Sequence, residues 1–278
     1  MSIPPIPPKV LIVLHQETSS PGKLGQMLRA KGFALDIRKP RFGEALPETM
    51  AEHAGAVIFG GPMSANDSDD FVKAETDWIG VALKEGAPFL GICLGAQMLV
   101  KHLGGIVCSH CDGCAEIGFY KLRETEAGRR LLPWPDVVYQ WHREGFDLPT
   151  GAELLARGDI FENQAFSVDG TAFGVQFHSE LTYAMACRWT VRGAERLNLP
   201  MAQARPEHMA GWFRYDPPVR AWLWDFLDVW LAQDQRGIEA RRAASICGHV
   251  CRKKDVQQNG LCRLATIGLS LEASYEHH

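Results

Sequence analysis

The sequence predicts an α/β fold with a mostly parallel central sheet flanked by helices, a mixed or antiparallel extension of that sheet, and extra C-terminal helices. Two observations carry the prediction. Short, uninterrupted apolar runs of strand length recur through the first hundred residues, as strands buried on both faces require. Segments with helical spacing alternate with them, which is the pattern of right-handed crossovers in a parallel sheet.

The run Val10-Leu-Ile-Val-Leu14 reads as the first buried strand. Residues 24–31 read as a helix ended by Gly32, residues 34–37 as a strand, and residues 56–59 as a strand stopped by Gly60-Gly61-Pro62. A helix over 71–85 follows, with Trp78, Ile79, Ala82 and Leu83 at helical spacing and Gly86 where a C-terminal cap belongs. Residues 88–92 form the next strand and 94–103 the next helix, stopped by Gly104-Gly105. Residues 117–122, 137–140 and 171–177 read as strands separated by turns, hence the antiparallel or mixed extension. Two helices close the domain, over 183–197 and over 217–232, the second starting at Pro217-Pro218. Val219, Trp222, Leu223, Phe226, Leu227 and Trp230 form its core-facing stripe, while Trp224 and Leu231 fall off it and leave a face for a partner.

Composition bounds the rest. The 278 residues are 46% apolar and 22% charged, which excludes general disorder and permits one large domain. We expect a Pro-rich segment over 1–8, the main domain over 9–235, and an irregular or weakly ordered tail over 236–278 with seven Lys or Arg against four Asp or Glu. A net charge of −4 without long runs of one sign argues against nucleic acid as the main partner. No apolar run approaches the roughly 18–20 residues that span a bilayer, so no membrane association is expected. The prolines of Met-Ser-Ile-Pro-Pro-Ile-Pro-Pro would interrupt the apolar core of a secretory signal, so the expectation is a cytoplasmic protein whose eight cysteines are reduced. Oligomeric state is not legible.

The strongest local signal is Gly91-Ile-Cys93-Leu-Gly95-Ala-Gln97, set between a buried strand and a helix. It has the form of a nucleophile elbow, a reversal so sharp that the flanking positions must be small. Cys93 then stands at a helix N-terminus, where unpaired N–H groups favour thiolate over thiol. Gly174-Val-Gln-Phe-His178-Ser-Glu180 supplies a base at a strand end, and Glu180 can fix its tautomer. The Gly60-Gly61-Pro62 turn lets backbone approach a ligand closely, and we assign an oxyanion hole to the N–H groups of Gly61 and Leu94.

In that order, FGGP, GICLGAQ and QFHSE resemble class I glutamine amidotransferases, in particular stand-alone proteins that look like the glutaminase domain of GMP synthase. The resemblance covers about residues 10–195 and implies flavodoxin-like layers. Members hydrolyse the side-chain amide of glutamine through a cysteine thioester and release ammonia. It implies Cys93 as nucleophile, His178 as base and acid, Glu180 as its orienting partner, and Gln97 near the bound glutamine. Tyr139-Gln-Trp-His142-Arg-Glu-Gly resembles the substrate-proximal segment, which makes Trp141 and His142 substrate-binding candidates. Here Trp141 and Arg143 replace the Ser and Gly of the usual Ser-His-Gly core, and Arg143 either offers a cation to a carboxylate or points to solvent. Ser179 takes a position commonly held by proline, with the His-x-Glu spacing unchanged.

No phosphate-binding loop follows the glutaminase-like part, so either a synthetase subunit acts in trans or the chain works alone as a hydrolase. The alternatives to a glutaminase are a free-standing γ-glutamyl hydrolase or peptidase with the same triad, and a catalytically silent binding module. Cys108-Ser-His110-Cys111-Asp-Gly-Cys114 holds soft ligands at zinc-like spacing, but all lie in one turn, so no metal and no other cofactor is expected. Cys247, Cys251 and Cys262 have no assigned role.

Overall fold

The computed structural model describes residues 7–232. The tail 236–278, with Cys247, Cys251 and Cys262, and most of segment 1–8 lie outside the described residues. The chain opens with β1 (Lys9–Val13), α1 (Gly22–Ala30), β2 (Ala34–Arg38), β3 (His53–Ile58), α2 (Asp70–Lys84), β4 (Phe89–Ile92) and α3 (Leu94–His102). There follow β5 (Val107–Ser109), β6 (Glu116–Lys121), β7 (Arg123–Glu124), α4 (Glu126–Leu131), β8 (Val137–His142), β9 (Glu144–Phe146), β10 (Glu153–Arg157), β11 (Asn163–Val168) and β12 (Ala172–Val175). The last elements are α5 (Tyr183–Arg192), a 3-10 turn (Ala194–Asn198) and α6 (Arg205–Ala232).

The main sheet has the order β2-β1-β3-β4-β12-β11-β10-β7. Its first five strands are parallel and the last three add antiparallel. Alternate side chains of β1 feed opposite faces, as the two-residue period of a strand dictates. Val10 and Ile12 join the core under α1 and α6, and Leu11 and Val13 the core under α2 and α3. The order reverses between β1 and β3, so the loops leaving the carboxyl ends of β1, β3, β4 and β12 gather at one end of the sheet, where α/β ligands bind.

Three expectations need correction. Residues 117–122 and 137–140 do not extend the sheet but pair with each other as the separate β6–β8 ribbon. Gln203 closes the β6 edge by accepting from the Phe119 N–H (2.8 Å) and donating to the Phe119 carbonyl (2.6 Å), and the extension is made instead by β11, β10 and β7. The helix expected over 183–197 ends at Arg192: Gly193 leaves helical geometry at φ −110° and ψ 32°, residues 194–198 turn as a 3-10 segment, and the Trp141 ring takes the space that a Cβ on Gly193 would need.

The final helix begins at Arg205 and runs through Pro217 and Pro218 rather than starting at them. An interior proline costs about 3 kcal/mol, and packing on both sides offsets it. Met209, Trp212 and Tyr215 sit on the cluster of Phe119, Tyr139 and Met185, while Trp222, Phe226 and Trp230 sit on the sheet core. Of the two off-stripe residues, Leu231 packs against that core and Trp224 carries the Lys31 ammonium 3.8 Å from its ring centroid.

Candidate active site

Cys93 caps α3 with φ 52° and ψ −106°, a conformation that a side-chain-bearing residue adopts only when its surroundings impose it. The neighbours show how. A Cβ on Gly91 would lie 2.4 Å from the Gly95 carbonyl oxygen, and one on Gly95 only 2.0 Å from that of Ile58. The Cys93 N–H donates to the Val175 oxygen at 2.8 Å, tying the elbow to the end of β12.

His178 leaves β12 three residues after its end, and its N–H donates to the Tyr139 oxygen at 2.8 Å. Its Nδ1 lies 2.7 Å from Glu180 Oε1, both side chains buried. Trp189 meets the imidazole edge-on at 4.9 Å between centroids, and a Cβ on Gly60 would lie 2.8 Å from His178 Cε1. The ring is held from both sides. Burial alone would lower the His178 pKa, but the Glu180 carboxylate and the Cys93 sulfur, acting through charge and hydrogen bonding, override it and raise the pKa to about 10. His178 is therefore an imidazolium at neutral pH. Glu180 is fixed through its backbone: Lys23 N–H donates to its carbonyl at 2.8 Å, and only glycine fits at position 22, where a Cβ would lie 2.3 Å from the same oxygen.

Gly60, Gly61, Cys93, Trp141, His178 and Glu180 line one cavity of about 210 Å³. Leu94 is the first residue of α3, so its N–H has no partner one turn back. Gln97 and His142 are not brought to this cavity. Gln97 donates to the Glu144 carbonyl at 2.9 Å and to Gln176 Oε1 at 3.1 Å, and His142 pairs with Glu116 at 3.0 Å, the side chains of Gln97, Gln176, His142 and Glu116 all being buried. Arg143 lines a smaller neighbouring hollow with His142 and Leu199.

Arg143 is not among the residues that line the Cys93 cavity, and the cations there are other arginines. Arg188, Arg192 and Arg196 line the cavity, together with the carboxyl groups of Glu180 and Glu195. The four-residue spacing of these arginines is visible in the sequence, but Arg188 and Arg192 lie on α5 and Arg196 in the 3-10 turn, and only the fold brings the three to the cavity of Cys93. A further buried imidazole–carboxylate pair, His15 with Glu75, also escaped sequence reasoning. In the cysteine-rich turn His110, Cys111 and Asp112 place ligand atoms within 4.8 Å of one another, but Cys111 and Asp112 are exposed and His110 Nδ1 accepts from the Asp112 N–H at 3.1 Å.

The profile of the family "Glutamine amidotransferase class-I" matches residues 19–186. The glutamine amidotransferase-like protein YfeJ of Salmonella typhimurium is 29% identical over 248 residues, 82% of this chain and 100% of that protein. The crystal structure of a glutamine amidotransferase from Methylobacillus flagellatus superposes with a TM-score of 0.77 at 26% identity, covering 83% of this chain and 97% of that one. The glutamine-hydrolysing GMP synthase of Porphyromonas gingivalis is 33% identical over 144 residues, 50% of this chain but only 27% of the synthase. Among the described residues no helix is long and apolar enough to cross a membrane. With its profile matched across more than half of its length, the chain belongs to the class I glutamine amidotransferase family.

Proposed function

We propose that the chain hydrolyses the side-chain amide of glutamine through a thioester on Cys93. One observation supports this above others: a cysteine at positive φ on a helix N-terminus, an imidazole–carboxylate pair and the Gly60-Gly61 turn line the same cavity. The Cys93 thiolate attacks the amide carbon, and the carbonyl electrons move onto oxygen, which accepts from the Gly61 and Leu94 N–H groups. The His178 imidazolium gives its Nε2 proton to the nitrogen. The C–N bond breaks, and ammonia leaves as the thioester forms. Water then attacks the thioester while neutral His178 takes its proton, and collapse releases glutamate and regenerates the thiolate–imidazolium pair. Glu180 holds the ring through Nδ1 in both halves.

Ammonia would pass to a synthetase supplied in trans. The match to GMP synthase supports this, since it leaves most of that enzyme's length uncovered. A cytoplasmic location fits such a partner. The test is to mix purified protein with glutamine, measure ammonia, and quench in acid for mass spectrometry of the Cys93 peptide. A glutamyl adduct on Cys93 is expected, and equal ammonia release from Cys93→Ala would overturn the proposal.

A second reading has one observation in its favour. Three arginines exceed what a single α-carboxylate engages, so a γ-glutamyl compound whose amine carries another carboxylate also fits the charge of the cavity. The same triad would then act as a γ-glutamyl hydrolase.

A further inference from the structure

We infer that His15 and Glu75 are positioning residues, a further imidazole–carboxylate pair that holds the Gly60–Gly61 peptide with its N–H turned toward the cavity. The inference rests on the amide-hydrolysis reading above. It begins with sheet register. Val13 of β1 lies opposite Ile58 of β3, so the loops leaving the two strands run side by side, with His15 and Gly60 each two residues beyond. The His15 ring lies flush on the diglycine: a Cβ on Gly61 would sit 3.1 Å from each of His15 Cβ, Cγ and Nδ1.

Both ring nitrogens are engaged. Nδ1 lies 3.2 Å from the Gly60 carbonyl oxygen, and because a carbonyl can only accept, Nδ1 carries the hydrogen. Nε2 lies 2.7 Å from Glu75 Oε2. Both side chains are 0% exposed, and among the described residues Glu75 Oε1 has no hydrogen-bond partner. A carboxylate occupies an otherwise apolar stripe of α2, beside Val72, Trp78 and Ile79, and bonds to this imidazole with only one of its oxygens. Burying it that way costs stability, which folding alone does not explain.

Peptide geometry supplies the consequence. The structure has no cis peptide bonds among the described residues, and in a trans peptide the C=O of Gly60 and the N–H of Gly61 point in opposite directions. With the carbonyl drawn to His15, the Gly61 N–H faces away from the buried ring, and among the described residues it donates to no backbone acceptor. Two glycines in sequence make this peptide easy to turn over. Turned over, it would present a carbonyl oxygen to a developing oxyanion.

The test compares His15→Phe, which keeps ring volume without a donor, with His15→Asn, whose amide nitrogen can take the place of Nδ1. Glu75→Gln is a third variant that leaves His15 intact. His15→Phe should lower kcat by about 10²–10³-fold, the loss seen when one oxyanion donor is removed, with KM within threefold. His15→Asn should recover at least tenfold of that. Alkylation of Cys93 by iodoacetamide, which forms no oxyanion, should be unchanged in all three. A crystal structure of His15→Phe should show the Gly60 carbonyl turned into the cavity. Retention of kcat within threefold in His15→Phe, a parallel fall in alkylation, or an unmoved peptide would each overturn the inference. Should wild-type protein release no ammonia, the amide-hydrolysis reading fails, and the orientation of the peptide in the variant still decides the clamp. If His15→Phe does not fold, Glu75→Gln carries the same comparison.

Discussion

Gly60 is the surface on which His178 rests: a Cβ at position 60 would stand 2.8 Å from the imidazole Cε1 and 3.3 Å from Cys93 Cβ. Gly60 does not have a positive φ, so alanine brings no backbone strain, only bulk against the ring. Gly60→Ala should therefore displace the imidazole while leaving the fold intact. We expect kcat to fall about 10²-fold, the scale on which a misplacement near 1 Å acts, with the urea midpoint near that of wild type. Steady-state kinetics and an unfolding curve check both halves. Wild-type kcat would show that the ring tolerates the shift.

Gly95 gives the opposite outcome. Its missing Cβ would meet backbone, the Ile58 oxygen at 2.0 Å, and neither α3 nor the central strand β3 can retreat alone. Gly95→Ala should destabilise the protein by about 3 kcal/mol, the upper range for overpacking. Urea denaturation measures it, and a cost below 1 kcal/mol would mean that the elbow relaxes freely.

The raised pKa of His178 fixes a pH dependence. Because the folded-state value of about 10 exceeds the ordinary 6.5, its contribution to stability is complete below pH 6.5 and is lost as pH rises toward 10. Unfolding free energy should fall more steeply over that window in wild type than in His178→Gln. Cys93 stands at a helix N-terminus beside that imidazolium, so substoichiometric iodoacetamide should label Cys93 in preference to the exposed Cys108 and Cys111. Preferential labelling of Cys108, Cys111 or Cys114 would remove Cys93 from the proposed role.

Much of the candidate site was legible because it is dictated by local sterics. An elbow needs glycines at 91 and 95 wherever it occurs, and a His-x-Glu spacing brings Nδ1 to a carboxylate without help from distant chain. What escaped depends on register. His15 and Glu75 are 60 residues apart and meet only because β1 and β3 are neighbours, although a carboxylate among Val72, Trp78 and Ile79 was a visible irregularity. Short strands such as β7 and β9 carry too few residues to show a period. The Pro217-Pro218 pair reads locally as a helix start, and only packing on both sides reveals a continuous helix.

Glu180 should be less critical than its two partners. It accepts from His178 and transfers no proton in the proposed steps, so Glu180→Gln should retain measurable turnover, whereas Cys93→Ala and His178→Ala should each abolish it. Near-native rates in Cys93→Ala would end the covalent mechanism. All three variants should remain folded.

The last prediction concerns the leaving group. The triad requires only an acyl carbon, so discrimination must come from the walls around the scissile nitrogen. In the proposed steps that nitrogen takes its proton from His178, and this is where the aromatic wall stands. Trp189 covers the imidazole at 4.9 Å, and Trp141 packs edge-on against Trp189 at 5.9 Å. Bulk there leaves room for ammonia and little for a larger amine. On the same cavity Arg188 donates to the Thr18 carbonyl at 3.2 Å and Arg192 to Thr18 Oγ1 at 3.4 Å, which leaves guanidinium N–H groups for a carboxylate. Glutamine should therefore be preferred over γ-glutamyl dipeptides. Arg192→Ala should raise KM for glutamine with little change in kcat, and glutaminamide, which lacks the carboxylate, should be indifferent to it. Trp141→Gly should improve dipeptide turnover relative to glutamine. The deciding measurement is kcat/KM for glutamine against dipeptides on the purified chain. A dipeptide preference of tenfold, about 1.4 kcal/mol of differential transition-state binding, would assign the chain to the γ-glutamyl hydrolases, with the surplus arginines holding the second carboxylate.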